Sequence, residues 1–184
     1  MIIGITGSFG AGKGAVVDYL VREKGFADFS ARSFITKEIK HRDLPVNRDT
    51  MTVVANDLRQ KHGASYIIES LYHEAKDRGG DAVIESLRAV AEVRLIKKLG
   101  GIVLGVTAQP EIRYERAIAR GSETDKVSYK EWLQQEVRES NPDDPTKQHI
   151  FGALAEASVV IENNGSLEDL YEAVEEMLKE QRLG

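Results

Sequence analysis

The stretch Gly7-Ser8-Phe9-Gly10-Ala11-Gly12-Lys13-Gly14 holds the residues most suited to chemistry in this chain. A glycine, four spacer residues, then glycine and lysine let backbone N–H groups curl around a phosphate while the Lys13 ammonium reaches its outer oxygens. A helix that opens at the lysine adds its positive N-terminal end to the same anion. Ser8, Phe9, Gly10, Ala11, Gly12, Lys13, Gly14 and Ala15 are therefore expected to wrap the phosphates of a nucleotide. The hydroxyl residue that commonly follows the lysine and helps to hold Mg²⁺ is missing, since Gly14 and Ala15 stand there. A magnesium ion would have to rest on phosphate oxygens, water and a nearby carboxylate.

Such a loop needs a strand before it and a helix after it, and the flanking residues supply both. Short apolar runs alternate with longer helical patterns, which predicts a mostly parallel sheet covered by helices. The predicted strands are Ile2–Thr6, Phe26–Phe29, Ala82–Glu85, Ile102–Thr107 and Val159–Glu162. Ile102-Val103-Leu104-Gly105-Val106 is apolar on both faces, as a buried parallel strand requires. Val16, Val17, Leu20 and Val21 share one face of the first helix; Leu167, Leu170, Tyr171, Val174 and Leu178 stripe the last, with Ser166 and Asp169 forming a capping box before it. Two insertions break the rhythm. Residues 31–78 hold about three helices, and the polar segment 119–150 has the length of a lid.

Further cations and acids sit at the ends of these elements. Arg113, Arg116 and Arg120 follow helical spacing and fall on one face, either as a solvated basic surface or as a phosphate clamp whose planar forks grip oxygens in pairs. Gly121 after Arg120 would serve as a hinge. Glu85 is expected at the C-terminal end of a parallel strand, where open α/β sheets place their ligands; a plain strand-end carboxylate is the competing account. Asp28 stands near the end of the second strand, with Arg32 just beyond. Asn47-Arg48-Asp49-Thr50 begins a helix. Arg59, Lys61 and His62 close one, a position that also favours cations for dipole reasons. Tyr129 and Trp132 either pack a small helix or stack on a base. His41, His62, His73 and His149 show no metal-ligand spacing, and Lys147 with His149 would approach phosphate on closure of the segment.

Over its whole length the chain resembles the P-loop nucleoside-monophosphate kinase superfamily, nearest to dephospho-coenzyme A kinases and (deoxy)nucleotide kinases. Gly10-Ala11-Gly12-Lys13-Gly14 is similar to the adenylate kinase loop, whose following threonine is Ala15 here. Val83-Ile84-Glu85-Ser86-Leu87-Arg88, with Glu92 beyond, resembles a strand ending "Asp-Gly-x-Arg … Glu". Val160-Ile161-Glu162-Asn163-Asn164-Gly165-Ser166 is similar to the last strand and turn of dephospho-coenzyme A kinases. The resemblance implies a three-layer α/β fold with about five parallel strands, one domain over residues 1–184, an acceptor-binding insertion at 31–78 and a lid at 119–150. It implies ATP and Mg²⁺ as cofactors, Glu85 beside the metal, Asp28 as general base and Asn164 near adenine. Arg88, Arg32 and Arg59 would touch the acceptor, and Arg116 with Arg120 would neutralise charge on closure, beside Lys13.

Composition fits an ordinary globular domain and excludes several classes. The 184 residues are 41% hydrophobic and 30% charged, an ordinary globular mix. Cysteine is absent, which removes disulfides, thiolate metal sites and cysteine nucleophiles. With 25 basic and 30 acidic residues the net charge is −5, against broad nucleic-acid binding. No apolar run approaches the length of a membrane span, and Met1-Ile2-Ile3 lacks the basic start of a signal peptide. The expectation is a cytoplasmic kinase, monomer or homodimer, moving the ATP γ-phosphate to a nucleoside monophosphate, a deoxynucleoside monophosphate or dephospho-coenzyme A. A nucleotide-binding switch or NTPase is the alternative from another class, and a degenerate kinase fold kept for assembly is the third.

Overall fold

The computed structural model describes residues 1–121, 127–139 and 148–183. Five strands, β1 (Ile2–Gly7), β2 (Ala27–Ser30), β3 (Ala82–Leu87), β4 (Ile102–Thr107) and β5 (Val159–Glu162), form one sheet. Its order is β2-β3-β1-β4-β5, and every neighbouring pair is parallel. The loop-bearing strand β1 is thus central, and two strands of the sheet lie on each side of it.

Helices cover both faces, because the strands are apolar on both. On one face α1 (Lys13–Arg22) and α9 (Leu167–Leu183) bury Val16, Leu20, Leu170 and Val174 against Ile3, Ile5, Val83 and Leu104. On the other, α2 (Ala31–His41), α3 (Arg48–His62), α4 (Tyr66–Arg78), α5 (Val90–Lys98) and α8 (Ile150–Ala155) pack Ile35, Ile39, Leu58, Ile68, Leu71 and Ile96 over Phe29, Ile84 and Val103. Val103 faces one core and Leu104 the other, as expected of a buried parallel strand. The remaining helices, α6 (Pro110–Ala119) and α7 (Tyr129–Glu139), stand beside the phosphate loop.

Local signals account for the helix starts. Ser30 Oγ and Asn47 Oδ1 accept from Ser33 N and Thr50 N and so cap α2 and α3. The expected box at α9 is present: Ser166 N donates to Asp169 Oδ2 at 2.8 Å and Asp169 N to Ser166 Oγ at 3.2 Å. Ser128 and Glu131 make the same box at α7.

Four boundaries differ from the sequence expectation: β1 and β2 each end one residue later, at Gly7 and Ser30, and the start of β2 and the end of β3 also move. β2 starts one residue late, because Phe26 N bonds Leu20 O and the Phe26 ring joins the core beneath α1. β3 runs on past Glu85 to Leu87. It does so through Ser86, held at φ 72°, where the register with β1 slips between Gly4 and Thr6. Of the segment expected as a lid, residues 122–126 and 140–147, with Ser122, Asn141–Pro145 and Lys147, lie outside the described residues.

Candidate functional site

The phosphate loop crosses from β1 to α1 with Gly7, Gly10 and Gly12 at φ 140°, 78° and 100°. Side chains are excluded at all three. A Cβ would run into Val106 O at Gly7, Arg113 O at Gly10 and the Asn163 amide at Gly12. Asn163 holds the loop from behind: its Nδ2 donates to Ala11 O at 2.9 Å and its backbone N to Thr107 O at 2.7 Å. Ser8 and Ala11 are buried, and the Phe9 ring stays partly exposed at the rim. Gly14 and Ala15 follow in the first turn of α1, and nothing lies within 4 Å of a Cβ at Gly14.

Lys13 Nζ donates to Gly7 O and Ser8 O, both at 2.8 Å. Burial lowers its pKa to about 7, and the guanidiniums of Arg88, Arg120 and Arg113 push in the same direction; Glu136 alone opposes them. Three guanidiniums therefore act on the Lys13 charge, with one acid opposing them. That charge surplus suits a polyphosphate.

Each arginine is held differently. Arg88 follows β3; its N–H donates to Glu92 Oε2 at 2.7 Å, its carbonyl accepts from His149 N and its Nη1 donates to Gln148 Oε1 at 3.1 Å. Arg120 ends α6 with its guanidinium 5.1 Å from the centre of the Phe9 ring, beside Gly121 at φ 68°. Arg113, expected on an open clamp, is instead buried: both Nη atoms pair with Glu136, Nε donates to Ala108 O and Nη1 also to Phe9 O. Arg116 does not join the group around Lys13. Its Nη1 and Nη2 donate to Asn163 O at 2.9 Å and Gly165 O at 3.3 Å, which ties α6 to the turn after β5.

The acids lie on β2 and β3. Asp28 pairs in register with Val83 and Ser30 with Glu85, so both carboxylates project from the face that α1 covers. Partial desolvation raises the Asp28 pKa, and the charges of Glu85 and Asp18 add to it. Asp28, Ser30, Ser33 and Lys37 line a small cavity that reaches Glu74 on α4; Lys13 and Arg88 are not part of its lining. Arg32 is exposed one residue into α2. Arg59 turns away from solvent: its Nη2 sits 3.7 Å from Glu92 Oε1, and Glu92 is only 1% exposed. A carboxylate that deep needs a cation, and burial still raises its pKa against the pull of Arg59 and two backbone amides.

At the opposite end of the loop, Asn164 Oδ1 accepts from Gln109 N at 2.8 Å and, with Thr107 and Glu162, lines an open depression. Trp132 is buried against Phe9, Tyr114 and Tyr129, which makes it packing for α7. Among the described residues no group of three or more His, Asp or Glu side chains is arranged to hold a metal ion. The donor set fits magnesium only in its usual sparse form, one or two carboxylates completed by substrate phosphates. Glu85 is the carboxylate nearest in type and strand position. Asn163, Glu92, Glu136 and Ser86 were not singled out as site residues by the sequence; the "Arg … Glu" spacing hinted at Glu92, and nothing local marks Glu136.

A central parallel strand, a glycine loop and a converging set of cations define a P-loop kinase fold. Residues 3–141 match the family model described as AAA domain, and the chain belongs to that family. It is 25% identical over 179 residues to a UPF0200 protein of Staphylothermus marinus, covering 97% of this chain and 91% of that one. A UPF0200 protein of Methanosarcina barkeri is 29% identical over 182 residues, covering 96% and 94%. Among solved structures, TT1252 from Thermus thermophilus superposes with a TM-score of 0.62 at 23% identity over 98% of this chain and 97% of that one. Shikimate kinase from Bacteroides thetaiotaomicron gives 0.61 at 13% identity, over 97% and 98%. Shikimate kinase from Acinetobacter baumannii in complex with shikimate gives 0.59 at 17%, over 100% and 95%.

Proposed function

We propose that the chain is an ATP-dependent small-molecule kinase that moves the γ-phosphate to a nucleotide-like acceptor: a nucleoside or deoxynucleoside monophosphate, or dephospho-coenzyme A. The observation that carries this reading is the cation group at the loop, where Lys13 is held near pKa 7 by burial and by Arg88, Arg120 and Arg113. Charges so opposed call for a polyanion, and phosphoryl transfer asks mainly for such neutralisation and alignment.

In this scheme residues 1–184 act as one kinase domain. The loop amides and Lys13 hold the donor phosphates. The purine lies at the depression beside Asn164. Arg88 aligns the acceptor and Arg120 covers the transferring group from its seat on Phe9. Arg116 acts one step removed, by fixing the carbonyls of Asn163 and Gly165. The helical segment 31–78 takes the acceptor, with Arg32 at its entrance; Arg59 supports that segment through Glu92. Asp28 accepts the proton when the acceptor atom is a hydroxyl. Magnesium, when bound, neutralises phosphate oxygens, and Glu85 with those oxygens would hold it. Of the segment 119–150, helix α7 serves as the lid, seated beside the loop through Glu136 and Arg113.

One observation favours a second reading, an NTPase or switch without an acceptor: neither Gly14 nor Ala15 offers a hydroxyl to a metal. A coupled ADP-release assay separates the two. The panel is nucleoside monophosphates, deoxynucleoside monophosphates and dephospho-coenzyme A, with shikimate added because a fold neighbour binds it. ADP that appears only with one acceptor supports the kinase and names its substrate. ADP at the same rate without any acceptor overturns it in favour of the NTPase.

A further inference from the structure

Arg113 and Glu136 form a buried fork, with side chains 5% and 7% exposed. Glu136 comes from α7, a helix that sequence places outside the phosphate loop. Four of the five guanidinium N–H groups are engaged: two with Glu136, one with Ala108 O and one with Phe9 O at 3.2 Å. So placed, Arg113 has little left to offer a phosphate. Its backbone carbonyl also stands where a Gly10 side chain would go. Trp132, one turn before Glu136 on α7, lies 5.0 Å from the Arg113 guanidinium and 6.3 Å from the Phe9 ring.

The Phe9 carbonyl is the informative partner. A trans peptide is planar, so pinning that carbonyl toward Arg113 fixes the Gly10 N–H in the opposite direction. That amide belongs to the set a bound phosphate would meet. The Phe9 ring in turn seats Arg120. One fork thus sets both an amide of the cradle and the place of a covering guanidinium.

We propose that Glu136, acting through Arg113, is a positioning residue for the phosphate loop, so that the nucleotide site is completed by α7. The inference rests on the reading that the loop binds ATP. Full-length wild type, Glu136→Gln and the double variant Arg113→Met/Glu136→Met are titrated with ATP and with inorganic tripolyphosphate by calorimetry. Thermal melts and the emission of the lone tryptophan, Trp132, report whether α7 stays docked. Glu136→Gln should weaken ATP and tripolyphosphate about tenfold, the worth of one charge-assisted hydrogen bond. The double variant should regain the melting temperature, as buried pairs replaced by apolar side chains often do, and keep the weakened affinity. Restoration of both stability and affinity in the double variant, or unchanged affinity in either, overturns the positioning role. A wild type that binds neither ligand overturns the nucleotide reading itself, and the positioning role with it.

Discussion

Lys13 in the free protein has its pKa lowered to about 7, first by burial and then by the guanidiniums of Arg88, Arg120 and Arg113. A triphosphate seated in the loop reverses that balance by supplying the anion those cations lack, returning the lysine toward its ordinary value of about 10.4. Binding must then draw a proton from solvent. At pH 8 the free lysine is about one-tenth protonated and the bound one almost fully so, giving an uptake of about 0.9 proton per nucleotide. By the same linkage the apparent Kd should weaken about tenfold per pH unit above about pH 7. Calorimetry in two buffers of different ionisation enthalpy reads the uptake directly. Measurement at pH 8 lies above the second phosphate ionisation of about 6, so the ligand does not contribute. Lys13→Arg keeps the charge without a titration and should bind with no uptake. An uptake near zero in wild type, or one of equal size in Lys13→Arg, refutes the reasoning. Stability moves the other way. A lysine lowered in the folded state is protonated more in the unfolded chain from about pH 7 to 10.5, so its contribution to stability rises with pH across that window.

The Asp28 carboxyl is raised by partial desolvation and by Glu85 and Asp18. Turnover of a hydroxyl acceptor should therefore fall on acidification at a pH above the ordinary carboxylate range, and Asp28→Asn should remove that limb and cost about 10²–10⁴ in kcat; an unchanged profile refutes the base. Ser86 holds φ 72° without being glycine. Ser86→Gly should stabilise by about 0.5 kcal/mol and Ser86→Val destabilise by about 1–2 kcal/mol in denaturant melts, with the reverse order refuting the strain. At Gly10, φ 78° and the Arg113 carbonyl leave no room for a methyl. Gly10→Ala should cost about 2 kcal/mol or more and abolish nucleotide binding, and a variant of wild-type stability and affinity would show that the loop yields.

Much of the frame was legible because it depends on local pattern. The alternation of apolar runs gave all five strands, and Ile102–Thr107 and Val159–Glu162 matched to the residue. Asn47 marked the start of α3 and the run of Arg59, Lys61 and His62 its end, and Ser166 with Asp169 marked the start of α9. The contacts among site residues were not legible. Arg113, Arg116 and Arg120 share spacing and type, yet one is buried on Glu136, one bonds two carbonyls and one rests on an aromatic ring. What separates them is the partner each meets, 23 residues away for Glu136 and 47 for Asn163. Helical periodicity reports a face; it carries no word of what packs there. Arg59 repeats the lesson. Its place at a helix end predicted either a ligand contact or a dipole contact, while the buried carboxylate that claims it lies on α5.

The missing hydroxyl after Lys13 bears on the choice between kinase and switch. Packing does not impose it: a Cβ at Gly14 meets nothing within 4 Å, so a serine or threonine would fit there. Ala15 differs, because it packs against the core beneath α1. The loop thus forgoes a metal ligand at the one position where it had room for one. A site built that way leans on fixed cations to neutralise phosphate, and here three guanidiniums act on the Lys13 charge with one acid opposing them. Holding them there has a cost, visible in the lowered pKa of Lys13, and nothing in the core requires it. The carboxylates Asp28 and Glu85 are not among the charges that act on Lys13; they lie on β2 and β3, and the cavity beside Asp28 runs toward α2 and α4. A switch needs the cations alone. A kinase needs both halves, a basic one for the donor and an acidic one for the acceptor's proton, and it is the second half that tips the reading toward transfer.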